Sequence, residues 1–99
     1  MQICVVGSAD LANGQMRAYA EYRVFAALAR FERLVEGAAV TLEREGASGN
    51  VRCIIDIHAR GSAPIQFCGT DVHIAEAIDR AADGARHALE REKTGTVLI

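Results

Sequence analysis

The chain holds little of what confines small proteins to special classes. It has one proline, no tryptophan, three phenylalanines and two tyrosines. Its three cysteines, Cys4, Cys53 and Cys68, form an odd set with no C-x-x-C pair, which argues against a disulfide framework and a zinc knuckle. No apolar run approaches the ~20 residues that a membrane span needs. The start, Met1-Gln-Ile-Cys-Val-Val-Gly, lacks the basic opening of a signal peptide. The expected location is therefore cytoplasmic, with no membrane partner. A formal net charge of −2 excludes a generic polycation, so any nucleic-acid contact has to come from local patches.

What is present fits one folded domain. The 99 residues are 51% hydrophobic and 24% charged, which excludes disorder and collagen-like repeats. A chain of this size buries roughly 60–65% of its unfolded surface, enough for one modest core. We expect a single domain over residues 1–93 and a tail over 94–99.

Residues 2–6 form a β-rich run ended by Gly7-Ser8. From Met16 the period changes: Met16, Ala20, Val24, Ala27, Leu28, Phe31, Leu34 and Val35 share one stripe at helical spacing. Gly37 is the expected stop. Residues 39–44 and 51–60 alternate like strands, with Val40, Leu42, Val51, Cys53, Ile55 and Ile57 facing the core. Pro64 suits a strand start, after which Ile65 and Phe67 can join that face. Thr70 or Asp71 is the expected cap of a second helix, whose stripe is Ile74, Ile78, Ala81, Ala85 and Leu89. Gly84 in its interior suggests a close approach there. The order β-α-β-β-β-α predicts an α+β two-layer sandwich, a four-stranded sheet with two helices on one face. A right-handed crossover makes the first two strands parallel.

No catalytic constellation appears. The loop from Gly7 to Gly14 lacks the Lys-Ser/Thr of a phosphate-binding loop. Ser8 and Asp10 have no nucleophile elbow to work from. Cys4, Cys68 and His58 share the outer sheet face, but the two cysteines fall on opposite edges, roughly 14 Å apart at strand spacing, too far for a tetrahedral metal. No enzyme, metal, cofactor or small-molecule substrate is expected.

The charge pattern says more. Arg23, Arg30 and Arg33 fall within about 80° on the first helix, with Tyr19 in the same sector. His73, Arg80, His87 and Arg91 share a stripe about 40° wide on the second, beside Glu76, Asp79, Asp83 and Glu90. Arginine suits phosphate because its planar fork bonds two oxygens at once. A plain solvated face is the competing reading, with Glu76–Arg80 and Asp83–His87 as ordinary i,i+4 pairs.

Ala-Leu-Ala-Arg-Phe-Glu-Arg at 27–33, Val51-Arg-Cys-Ile-Ile-Asp-Ile, Gly61, Pro64-Ile, and Ala75-Glu-Ala-Ile-Asp-Arg-Ala-Ala-Asp-Gly-Ala-Arg-His-Ala-Leu-Glu together resemble the ribosome hibernation promoting factors. These are also called ribosome-associated inhibitor or sigma-54 modulation proteins. The resemblance spans about residues 2–92 and points to the short, single-domain type. It implies a fold like that of double-stranded-RNA-binding domains. It also implies binding to the small ribosomal subunit and its rRNA at the decoding region, with steric inhibition of translation in hibernation. Carried over by position, the rRNA-binding residues are Arg23, Arg30, Arg33, His73, Arg80, His87 and Arg91. The chain departs from the family at Gly84 and His87, where lysine and arginine are usual, and at Ser8, where many members are basic. Phosphate contacts dominate such affinity, and histidine would make it pH-sensitive. The alternative is a homodimeric protein-interaction module of the same fold, in which the apolar end Val97-Leu98-Ile99 pairs with a strand edge.

Overall fold

The computed structural model describes residues 1–98, with side chains as far as Arg91. Strand β1 (Gln2–Gly7) leads into helix α1 (Gly14–Leu28) and a single 3-10 turn (Ala29–Phe31). Strands β2 (Val35–Arg44), β3 (Val51–Ala59) and β4 (Ile65–Asp71) follow, and helix α2 (Ile74–Leu98) ends the described chain. The sheet order is β1-β2-β3-β4, with β1 parallel to β2 and the other neighbours antiparallel. Both helices cover one face, and the expected α+β sandwich is what the chain forms.

Strand alternation builds the core. Val5, Val40, Leu42, Val51, Cys53, Ile55 and Ile57 are buried beneath Ala20, Val24, Leu28, Ile78, Ala81 and Leu89 from the helices. Cys4 and Cys68 are exposed while Cys53 is buried, as the alternation requires. Burial pushes the Cys53 thiol up to about 12, because a thiolate loses its solvation in an apolar core.

Two side chains set the start of α1. Asn13 caps it, its Oδ1 accepting from the Met16 N–H at 3.0 Å. Arg17 reaches back along the chain, donating to the Ala12 and Val5 carbonyls at 2.9 Å each. Its guanidinium thus ties the helix to the end of β1.

Three expectations need correction. The first helix does not run to Gly37. It ends at Leu28, and β2 begins at Val35, because β-branched Val35 is fully buried opposite Ala59. Gly37 lies inside β2, where a Cβ would sit 2.7 Å from the Gln2 carbonyl oxygen, so it admits a neighbouring strand. Leu34, placed in the buried stripe by its spacing, is 51% exposed once the helix has ended.

Thr70 and Asp71 belong to β4 rather than capping the helix by position. Asp71 instead closes a turn ahead of the helix: its Oδ1 accepts from the His73 N–H at 3.1 Å, which lowers its carboxyl from the usual range.

The close approach is at Gly69, not Gly84. A Cβ on Gly69 would lie 2.5 Å from both the Ala77 carbonyl oxygen and the Ala81 nitrogen, so α2 rests directly on β4. Gly84 has open space around it.

The described helix runs through Leu98. The side chains of Val97 and Leu98, and all of Ile99, lie outside the described residues.

Candidate nucleic-acid interface

The structure divides the seven expected contact residues into two groups. Arg23, Arg30 and Arg80 are engaged by acids. Arg33, His73, His87 and Arg91 are exposed, and their side chains have no bonded partner among the described residues.

The engaged arginines of α1 and of the 3-10 turn that follows it, Arg23 and Arg30, face α2. Arg23 Nε lies 2.7 Å from Asp79 Oδ1, and its Nη2 lies 3.3 Å from Asp83 Oδ1. The Tyr19 hydroxyl donates to the same Asp79 oxygen at 2.7 Å. About two turns further along, in the 3-10 turn, Arg30 Nη1 sits 3.3 Å from Glu90 Oε1. The basic edge of α1 and the acidic edge of α2 are therefore the two sides of one seam. Spacing of seven residues (Arg23 to Arg30, Asp83 to Glu90) keeps the edges in step along nearly aligned helices.

Electrostatics within the seam follow from this geometry. Partial burial pushes Asp79 up, but the hydrogen bonds from Arg23 and Tyr19 outweigh it and hold the carboxyl below its ordinary value. The Asp79 hydrogen bond raises Tyr19 and strengthens the already permanent charge of Arg23.

Of the expected stripe, Arg80, His87 and Arg91 lie on α2, while His73 sits one residue ahead of the helix rather than on it. Arg80 points toward β4: its Nε is 3.1 Å from Asp71 Oδ2 at the end of β4. Its expected i,i+4 partner was Glu76, and that of His87 was Asp83. Instead Arg80 bridges to the strand, and Asp83 to α1.

Arg33 is not on a helix at all. It follows the 3-10 turn and lines a shallow hollow with Met1, Glu32 and Arg60. Sequence spacing missed Arg60, because it lies on the turn after β3. The parallel runs of opposite charge on the two helices were the available signal for the seam.

Among the described residues no group of three or more His, Cys, Asp or Glu side chains could hold a metal ion. Ser8 Oγ donates to Asp10 Oδ1 at 2.5 Å, and Arg44 bridges to the same carboxyl at 3.2 Å, so Asp10 organises a loop. Together they lower its carboxyl, the serine bond most. No helix among the described residues is long and apolar enough to cross a membrane.

No protein-family model matches the chain, and no curated protein does. Solved structures do match. The N-terminal domain of Protein Y from Thermus thermophilus superposes with a TM-score of 0.70 at 25% sequence identity, over 92% of this chain and 98% of that one. A ribosomal subunit interface protein from Coxiella burnetii superposes with a TM-score of 0.78 at 12% identity, over 95% and 99% of the respective chains. At that identity the second likeness concerns the fold alone. The resemblance read from the sequence thus has a three-dimensional counterpart: the chain is structurally similar to the interface and hibernation-factor proteins of the ribosome.

Proposed function

We propose that this chain is a ribosome-associated factor of the hibernation type, acting in the cytoplasm. It docks at the decoding region of the small subunit and inhibits translation by occupying the path of messenger and transfer RNA. The observation that carries this reading is the match to the Protein Y N-terminal domain, which covers 98% of that domain at 25% identity. No chemical step is involved. The work is done by shape and by cations placed against RNA phosphates.

The polar side chains without a carboxylate partner define the contact surface in this reading. His87 and Arg91 on the outer flank of α2, with Arg80 beside them, His73 just ahead of the helix and Arg33 beyond the 3-10 turn, meet the rRNA backbone. Arg23 and Arg30 contribute only by exchanging Asp79, Asp83 and Glu90 for phosphate. Each phosphate neutralised adds about 0.7–0.9 to the salt slope of binding, so a chain with few free cations binds with a shallow slope. The test is a reconstituted translation reaction. The protein is expected to lower yield in proportion to occupancy of small subunits, and to lose that effect when messenger RNA is bound first. Unchanged yield at saturating protein would contradict the proposal.

One observation favours the second reading, a homodimeric interaction module. Tyr22 is 68% exposed and Phe25 50%, and both line a surface groove with Met1, Ile3, Ala18 and Glu21. The groove runs beside β1, an edge strand, and such edges invite pairing. Light scattering at high concentration decides it: twice the monomer mass, reverting with Tyr22→Ala and Phe25→Ala together, supports the dimer, and monomer mass throughout excludes it.

A further inference from the structure

Six of the ten arginines are committed inside the fold. Arg17 bonds backbone carbonyls, and Arg23, Arg30, Arg44, Arg52 and Arg80 are in ion pairs. Arg33 and Arg60 are not. Both are exposed, and among the described residues neither is bridged to a carboxylate.

The backbone holds these two together. The Arg60 N–H donates to the Leu34 carbonyl at 2.8 Å, and Val35 pairs with Ala59 at the end of the β2–β3 ladder. The turn after the 3-10 segment and the turn after β3 are thereby locked side by side. Both arginines line one hollow of about 370 Å³, with Met1 and Glu32 as its other walls. The hollow is open and shallow, unsuited to enclosing a small molecule. It lies at the end of the molecule where Arg30 meets Glu90, next to Arg91 in the chain of α2. A continuous polyanion fits such a surface better than a free anion does.

We propose that Arg33 and Arg60 form a phosphate clamp that grips an RNA backbone and extends the α2 contact surface across the end of the sheet. This rests on the ribosomal reading above for the source of the RNA. Two planar guanidinium forks on rigidly joined turns can bond adjacent phosphates without ordering a loop first. Glu32 is the opposing charge at the rim and limits the affinity.

Two measurements test it. Co-sedimentation with isolated small subunits across a salt series is expected to lose about 0.7–0.9 of slope with Arg60→Ala, and to strengthen with Glu32→Gln. The Arg60 side chain makes no bond among the described residues, so the variant should keep the parental urea midpoint, which is checked in parallel. Separately, the arginine Nε–Hε resonances of the parent are followed while a short RNA oligonucleotide is added. Those of Arg33 and Arg60 are expected to move together, and the Arg33 shift should shrink by more than half in Arg60→Ala. Parental co-sedimentation with an unchanged slope in Arg60→Ala overturns the clamp and leaves the ribosomal reading standing. Absent co-sedimentation with coupled Arg33 and Arg60 shifts supports the clamp and overturns the ribosomal source. Resonances that stay still with RNA overturn the clamp in either case.

Discussion

Arg23 Nε donates to Asp79 Oδ1 at 2.7 Å across the two helices, and this bond turns an apparent RNA-binding edge into a structural seam. Tyr19 shares the same acceptor, and Asp83 takes the other end of the guanidinium. The cations that helical spacing assigns to the exterior are the ones that join α1 to α2.

Asp79→Asn should therefore cost stability. The group is only partly covered, so the loss is about 1 kcal/mol, between an exposed pair and a buried charged hydrogen bond. Urea denaturation at neutral pH measures it. The pH dependence has a definite sign. The folded carboxyl is held below its ordinary value of 3.8, so the unfolded chain takes up the proton first as pH falls. The contribution is present above the unfolded value and is lost as pH drops through the folded one. The parent should lose more stability than Asp79→Asn below about pH 4, and parallel curves would show that the bond is not formed in solution.

Releasing the seam should strengthen RNA binding. In Asp83→Asn with Glu90→Gln, Arg23 keeps Asp79 but loses its second acid, and Arg30 loses its bridge. Co-sedimentation with small subunits is then expected to tighten several-fold at low salt, with a steeper salt slope. Equal or weaker binding would mean that α1 lies away from the RNA.

Two glycine-to-alanine changes should act in opposite directions. At Gly69 a Cβ meets the backbone of α2 at 2.5 Å, and neither partner can turn aside. Gly69→Ala should cost about 1–3 kcal/mol by pushing the helix off the sheet. Gly84 lies in the helix with open space around it, so Gly84→Ala should stabilise by up to about 1 kcal/mol. Urea midpoints of the two variants give the signs directly.

The three thiols should separate by reactivity. Cys4 and Cys68 are exposed and should react promptly with an aromatic disulfide reagent at pH 8. Cys53, with its thiol pushed up to about 12, should react only after unfolding in denaturant. Prompt reaction of all three would show that the core opens readily.

Strand alternation made much of the fold legible. Period-two burial from Val51 to Ile57 and the 74-78-81-85-89 stripe both stand as read, because each depends only on which face meets the core. The end of α1 was not legible. Ala29 to Leu34 continue a helical apolar pattern, and the stronger demand came from Val35, which the sheet needs opposite Ala59. The close approach at Gly69 rather than Gly84 was not legible for a related reason: a close contact depends on which elements touch, which no local window contains. The seam was half visible. Acids on α2 and arginines on α1 stand in the sequence as separate stripes, and only the mutual orientation of the helices shows that they neutralise each other. Arg60 gave no signal, since its neighbour Arg33 is distant in sequence.

Gradient sedimentation of the purified protein with isolated small subunits, at low and moderate salt, tests the central claim most directly. The account predicts co-migration at low salt that weakens as salt rises, with loss of binding when Arg33 and Arg91 are both reversed to glutamate. A protein that stays at the top of the gradient at every salt concentration would contradict it.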